Sequence, residues 1–353
     1  MGPNVGVYQN RCGVAESYRS CAREIRRPQV INLGPSMTGY PWCWMPPEKL
    51  KHRSTSASAR LPSITLGRMT TVAIVCKPNR EELKRLLPDL IAWLRKHNYE
   101  VALDREGAAY TDAAPSMDRT ELPSRSPELV IVLGGDGTLL AAARIFATVG
   151  TPILSVNLGF LGFLTEVRLA DLYATLENWC SGCHSLDERA MLHAVLWRGG
   201  TEQASFEALN EIVVSKGDIA RMGEFAVELD GRSVARFRAD GVIVSTPTGS
   251  TAYTLAANGP ILTPDVDAMV VTPICPHLLT LRPIVVPGSA LLNVRVEGVP
   301  NVALLTIDGQ QGVELLRGDE VRCCRSSHTV KLVRLGDGGF FDVLRSKLSW
   351  GEL

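Results

Sequence analysis

From residue 71 onward the apolar positions fall into short blocks whose period switches between that of a strand and that of a helix. Residues 71–78, TVAIVCKP, form a β-branched apolar run of strand length. In residues 81–96, Leu83, Leu86, Leu87, Leu90, Ile91 and Leu94 share one helical face, and Pro88 is expected to kink or restart that helix. Residues 99–103 read as a second strand, and residues 104–127, with Pro115, Pro123 and Pro127, as a polar, mobile loop. Residues 129–133 have no polar break, the pattern of a strand buried on both faces. They run into Gly134-Gly135-Asp136-Gly137-Thr138 and a helix that opens at Thr138 and reaches about Val149, and residues 152–156 are the next strand. Strands alternating with helices predict a parallel sheet with right-handed crossovers.

Residues 169–180 look helical, and from Arg189 the period shifts toward two: MLHAVLW, FAVELDGRSVARF, ALLNVRVEG, VALLTIDGQQ, EVRCC and VKLVRL. Asp230-Gly231 between two such runs is a hairpin signal. The expected architecture is α/β plus β. A Rossmann-like parallel α/β domain occupies 69–168, a mainly antiparallel β domain 169–335, and a segment over 336–353 carries a short helix that packs back on the first domain. The functional site is expected in the cleft between the domains.

A chain of 353 residues suits two domains, and its 45% hydrophobic and 21% charged content is that of ordinary globular proteins. Lys plus Arg and Asp plus Glu are both 37, so no global charge points to nucleic acid. Residues 1–68 hold ten Lys/Arg and three Asp/Glu, a net of +7, which leaves 27 against 34, or −7, for the rest. This basic leader lacks a sustained period, with PWCWMPP and STSASAR inside it, and reads as disordered, as a transit peptide or as an over-extended gene product. Order begins directly after Met69, which favours Met69 as the initiator. Nine cysteines without an apolar export segment, and no apolar run of membrane-spanning length, place the chain in the cytoplasm with no membrane partner. Cys180-Ser181-Gly182-Cys183-His184 spells a haem-attachment string, but in a linking helix it reads as incidental. There is no G-x-x-x-x-G-K-[ST], and KPNREE after the first strand is not a G-x-G-x-x-G.

Three stretches carry candidate chemistry. Gly134 and Gly135 let the backbone turn and approach a ligand, and the helix N-terminus behind them is an anion site. Asp136 would repel phosphates, so its carboxylate suits a hydroxyl or a metal ion. Asn210-Glu211 sets an amide beside a carboxylate, groups that can read an adenine edge and a ribose diol. Residues 238–253, RADGVIVSTPTGSTAY, place Asp240 before a buried strand and Thr246, Thr248, Ser250 and Thr251 after it, with Gly249 relaxing the turn. That cluster is expected to form a hydroxyl cradle for sugar or phosphate oxygens.

Taken together, GGDGT, NE and DGVIVSTPTGSTAY resemble the NAD kinase family in order and spacing. KP at 77–78, LGFLGFLTE at 158–166, PH at 276–277, RP at 282–283, DGQ at 308–310 and the terminal LRSKLSWG support the match over 71–351. GGDGT alone is shared with diacylglycerol-type lipid kinases and phosphofructokinases. The resemblance implies ATP- and Mg²⁺-dependent phosphorylation of the adenosine ribose 2′-hydroxyl of NAD, with Asp136 as base. Gly134, Gly135, Gly137 and Thr138 would hold ATP phosphates, with Mg²⁺ carried by those phosphates. Asp136, Gly137, Asn210, Glu211, Arg221, Arg238, Asp240, Thr251, Ala252, Tyr253, Thr254, Leu255, Ala256 and Gln310 would contact NAD, making 169–335 the dinucleotide-binding domain. It further implies a homodimer or homotetramer with Asp240 near a subunit boundary. The alternatives are a non-catalytic NAD(P) sensor and a lipid kinase sharing only GGDGT. A chain that starts at Met69 is expected to fold and turn over, and failure to fold, followed by circular dichroism, would make the leader structural.

Overall fold

The computed structural model describes residues 70–159, 162–165, 167–217, 221–298, 302–334 and 339–349. The expectations for the leader and for Met69 fall outside the described residues. The first half carries β1 (Thr70–Cys76), β2 (Tyr99–Asp104), β3 (Ser116–Met117), β4 (Leu129–Gly134), β5 (Ile153–Asn157) and β6 (Val167–Arg168). All pair in parallel, with β4 between β1 and β5. The helices are α1 (Leu83–Lys96), α2 (Arg105–Ala108), α3 (Asp136–Phe146) and α4 (Leu172–Cys180). Strand pleating sends alternate residues to opposite faces. On β1 and β4, Val72, Ile74, Leu129, Ile131 and Leu133 pack with α1 and α4, while Ala73, Val75, Val130 and Val132 pack with α3. This is the three-layer α/β arrangement that the apolar runs predict.

Pro88 does not restart α1, which runs unbroken through it. Pro88 faces solvent, where water can serve the carbonyl left without its partner, and Leu83, Leu87, Leu90, Ile91 and Leu94 are buried. Their burial at about 1.5–3 kcal/mol each outweighs the roughly 3 kcal/mol an internal proline costs.

Residues 104–127 are not the loop that their polarity suggested. They form α2, β3 and a 3₁₀ helix, Arg119–Arg125, started by an Asp118/Glu121 capping box. Asp104, fully buried, ties this segment to the sheet. It accepts hydrogen bonds from the amides of Cys76 (3.0 Å) and Gly107 (2.9 Å) and from Arg119 Nη2 (2.7 Å) and Nε (3.1 Å). Burial pushes its carboxyl up, and the Arg119 guanidinium and both amides work against that.

The second half adds β7 (Ser185–Arg198), β8 (Thr201–Ala208), β9 (Glu211–Lys216), β10 (Gly223–Leu229), β11 (Arg232–Ala239) and β12 (Gly241–Ser245). After them come β13 (Ala268–Ile274), β14 (Ile284–Pro287), β15 (Leu292–Gly298), β16 (Ala303–Ile307), β17 (Gln311–Leu315) and β18 (Glu320–Arg334). The β10–β11 hairpin turns on Asp230 and Gly231, both at positive φ (50° and 74°), as the Asp-Gly pair predicts. One sheet runs β14-β13-β12-β9-β16-β17; the other, β11-β10-β15-β18, continues into β5 and the parallel sheet. Apolar side chains of the two sheets fill the space between them, Phe225, Val244, Leu305 and Val321 among them.

The long strand β18 serves both halves. Val321 and Cys323 lie in the core of the second half, whereas Val330, Leu332 and Val333 lie in those of the first. Leu332 pairs with Ile153 in parallel, so the sheet passes from one half to the other without a break. Between β12 and β13 lies α5 (Tyr253–Ala256), and after β18 comes α6 (Phe340–Leu348), which buries Leu344. Arg119→Ala would leave the Asp104 carboxylate buried and unpaired, so a stability loss of about 3–5 kcal/mol is expected in urea unfolding. A loss below about 1 kcal/mol would show that Asp104 finds water instead.

Candidate active site

The glycine loop joins β4 to α3, and the helix begins at Asp136, two residues before the expected Thr138. Gly135 is the extended residue before it, and a side chain there would point into open space. Gly134 is needed for packing, because a Cβ would overlap Thr138 Oγ1. The start of α3 is therefore open on the side of Gly135, the kind of setting in which free first-turn amides can take an anion. Asp136 turns its carboxylate toward residues 162–165. Its Oδ2 accepts from the Phe163 amide (2.9 Å); its Oδ1 accepts from the amides of Leu164 (3.2 Å) and Thr165 (3.0 Å) and from Thr165 Oγ1 (2.9 Å). A Cβ at Gly162 would overlap Asp136 Oδ1, so residues 162–165 close on the carboxylate only because a glycine stands there.

Asp308, on the β16–β17 turn, binds this half to the other. Asp308 and Gly309 both take positive φ, 47° and 64°. The buried Asp308 carboxylate accepts from the amides of Leu209 (3.1 Å), Asn210 (2.8 Å) and Glu211 (3.1 Å), and pairs with Arg144 of α3 at 2.8 Å. Beside it Gln310 donates from Nε2 to the Gly137 carbonyl (2.6 Å) and accepts from Arg144 Nη2 (2.6 Å). Gln310 thus holds the glycine loop.

Asn210 Oδ1 and Glu211 Oε2 are buried without a hydrogen-bond partner. Glu211 is 6% exposed, and burial first and Asp308 second push its carboxyl up to about 8, against a hydrogen bond from the Tyr253 amide. Two buried acceptors without partners each carry a desolvation penalty, and a ligand bearing donors would relieve both. The hydroxyl cradle expected after β12 is not formed. Thr246 Oγ1 donates to the Leu209 carbonyl (2.6 Å), Ser250 Oγ to the Pro247 carbonyl (2.6 Å) and Thr251 Oγ1 to the Thr248 carbonyl (3.2 Å). Thr248 Oγ1 accepts from the buried Arg189 (3.2 Å). Because that segment is buried, its hydroxyls pair with backbone and shape the loop. Gly249 lies so close to Asn210 that a Cβ would overlap its carbonyl oxygen. The loop then carries Thr251, Ala252, Tyr253, Thr254, Leu255 and Ala256 past Glu211, with Tyr253 44% exposed.

Asp240 and the pair Arg221 and Arg238 lie elsewhere. Asp240 pairs with Lys216 at 2.6 Å, at the end of β9 opposite Glu211, roughly 17 Å away at about 3.3 Å per residue. Arg238 pairs with Glu224 at 2.6 Å, and with Arg221, His277, Glu297 and Arg317 both line a cavity of about 530 Å³. Cys180 and Cys183 are exposed free thiols, and the His184 ring stacks on Trp179 at 4.3 Å between centroids.

Family models for the ATP-NAD kinase N-terminal and C-terminal domains match residues 72–182 and 209–335. The NAD kinase of Acidobacterium capsulatum is 61% identical over 284 residues, covering 80% of this chain and 100% of that protein. The chain belongs to the ATP-NAD kinase family. The NAD kinase of Koribacter versatilis is 51% identical over 80% of this chain and 99% of its own. Among solved structures, yeast NADH kinase complexed with NADH superposes with a TM-score of 0.74 at 25% identity, covering 82% of this chain and 90% of its own. An NAD kinase from Archaeoglobus fulgidus in complex with ATP has the same fold, with a TM-score of 0.61 at 24% identity over 79% and 98%. Within the family frame, Arg144, Gly162, Thr165 and Asp308 are structural members of the site to which residue-level reading gave no role. Their sequence signals were an arginine in the apolar run AAARIF, the LGFLGFLTE stretch that holds Gly162 and Thr165, and an aspartate opening DGQ.

The raised Glu211 carboxyl has a consequence for stability. Its unfolded value is near 4.5, so between there and about 8 the folded state binds more protons. Its contribution is fully present below 4.5 and is lost as pH rises toward about 8. The unliganded protein should lose Tm across that window, and Glu211→Gln should lack this part of the loss; parallel Tm–pH curves for the two would contradict it.

Proposed function

We propose that the chain transfers the γ-phosphoryl group of ATP to the adenosine ribose 2′-hydroxyl of NAD, giving NADP. The observation that carries the reading is the juxtaposition built by Asp308. It brings the glycine loop and Asp136 of one half against Asn210 and Glu211 of the other, where two buried acceptors lack partners. The adenine amine donates to Asn210 Oδ1, and ribose hydroxyls donate to Glu211 Oε2. Residues 251–256 and Gly137 flank the dinucleotide, and Gln310 is available to it beside Gly137. The first-turn amides behind Gly134 and Gly135, with Gly137 and Thr138, receive the ATP phosphates.

Asp136 Oδ1 already accepts three hydrogen bonds, whereas Oδ2 accepts one. Oδ2 is thus the oxygen that orients the 2′-hydroxyl and takes its proton. The 2′-oxygen bonds to the γ-phosphorus, the bond to the β,γ-bridging oxygen breaks, and its electron pair leaves with ADP. Little covalent help is required, so positioning and charge neutralisation dominate. The Asp136 carboxylate is at hand for a divalent ion, which would otherwise be carried by substrate phosphates and water. Mg²⁺ bound in this way neutralises charge on the transferred group. Asp240 lies at the end of β9 away from Glu211 within one chain, and a homodimer or homotetramer would bring this end of a second chain to the dinucleotide. The six described cysteines are free, in keeping with a cytoplasmic enzyme.

Purified protein supplied with NAD, ATP and Mg²⁺ is expected to form NADP. Asp136→Asn should lower turnover by roughly 10²–10⁴-fold while NAD binding, followed calorimetrically, persists. Retained turnover in the variant would remove Asp136 as base, and NAD binding without turnover in either protein would favour a sensor.

A further inference from the structure

Behind Asp136 lies a second layer of polar groups that the reaction itself does not use. Thr165 is fully buried, and its Oγ1 stands 2.9 Å from Asp136 Oδ1 and 3.0 Å from Asn157 Nδ2. Asn157, at the end of β5, is 6% exposed, and its Oδ1 is 2.7 Å from the Gly159 amide nitrogen. The polarity of this chain of contacts follows from its far end. The Gly159 amide can only donate, so the oxygen of the Asn157 side chain must face it and the NH₂ must face Thr165. That NH₂ can only donate in turn, so it occupies a lone pair of the Thr165 hydroxyl. The single Thr165 proton is therefore left to Asp136.

We propose that Thr165, oriented by Asn157, is a positioning residue that fixes which oxygen of Asp136 meets the acceptor hydroxyl. This deepens the kinase reading and rests on Asp136 acting as base. Two backbone amides, those of Leu164 and Thr165, reach the same Oδ1, but a carboxylate can still swing about its last torsion between them. A third donor, with its own direction fixed by Asn157, completes Oδ1 and leaves Oδ2 with the Phe163 amide and an unused lone pair. Gly162 admits the loop to this distance, since any side chain there would overlap Oδ1.

The test compares Thr165→Val, Thr165→Ser and Asn157→Asp with wild type and with Asp136→Asn in the full chain, measuring kcat and both KM values. Thr165→Val keeps the shape and removes the proton; it should lower kcat roughly 10–100-fold with KM for NAD and ATP within about threefold, since displacement of the reacting group by about 1 Å has an effect of that size. Thr165→Ser should restore kcat to within about threefold of wild type, because it retains the donor. Asn157→Asp gives the hydroxyl a competing acceptor and should fall as Thr165→Val does; it also carries the test if the valine variant does not fold. A Thr165→Val enzyme with wild-type kcat, or a serine variant as impaired as the valine one, would overturn the proposal. So would a change confined to KM. Asp136→Asn separates the two levels: an active Asp136→Asn enzyme ends the base reading and this proposal together. An inactive one beside an active Thr165→Val ends only the positioning role.

Discussion

The Asp308 carboxylate is the group through which the two halves of the site meet. It takes three consecutive backbone amides on the edge of β9 and the guanidinium of Arg144 on α3, all within 3.1 Å. A buried ion pair alone is weak evidence for stability, because desolvation of both charges offsets most of their attraction. Here the amides complete the carboxylate's hydrogen bonding, and charge-assisted bonds of this kind are worth about 1.5–3 kcal/mol each. What the arrangement secures is register. The start of α3, which carries Asp136, cannot shift against Asn210 and Glu211 without breaking the Arg144 pair and the two bonds of Gln310.

The same anchoring explains why glycines and hydroxyls recur around the site. Gly134, Gly162 and Gly249 each stand where a Cβ would overlap a neighbour: Thr138, Asp136 and the Asn210 carbonyl. They admit close packing between segments distant in sequence, while Gly135 leaves a face open. The Thr246 hydroxyl closes a buried turn on the Leu209–Asn210 backbone, and those of Ser250 and Thr251 bond carbonyls within the turn itself.

What was legible in the sequence was whatever depends on local pattern. The period of α1, the unbroken apolar runs of β1 and β4, and the Asp230-Gly231 turn all state their structure within a few residues. The segment 104–127 was misread because its order comes from one buried carboxylate bonded across 28 residues to Cys76 and across 15 to Arg119. Even so, Asp118 and Glu121 held a capping-box signal that polarity concealed. β18 was read as two strands because its polar middle, where pairing with β7 shifts register, separates residues that serve different cores. Asp308 bridges 97 to 99 residues to its amides and 164 to Arg144, and no periodicity carries such a contact. GGDGT, NE and the Thr-rich stretch were visible only as motifs; their mutual geometry required the fold.

The site holds two unsatisfied groups where the proposed dinucleotide would satisfy them. Asn210 Oδ1 and Glu211 Oε2 are buried acceptors without partners, and Asp308 raises the penalty on Glu211 while fixing the backbone beneath it. Two structural carboxylates are treated differently: Asp104 and Asp308 are saturated by amides and arginines. A group kept unsaturated while its neighbour is saturated gains only when a donor arrives. A site built in this way discriminates by hydrogen bonding more than by shape, because a ligand lacking the hydroxyl or amine leaves the penalty in place. Asp136 differs again, with one oxygen saturated and one left with capacity. In the proposed reaction, recognition and proton transfer fall to different carboxylates, held in register by a third.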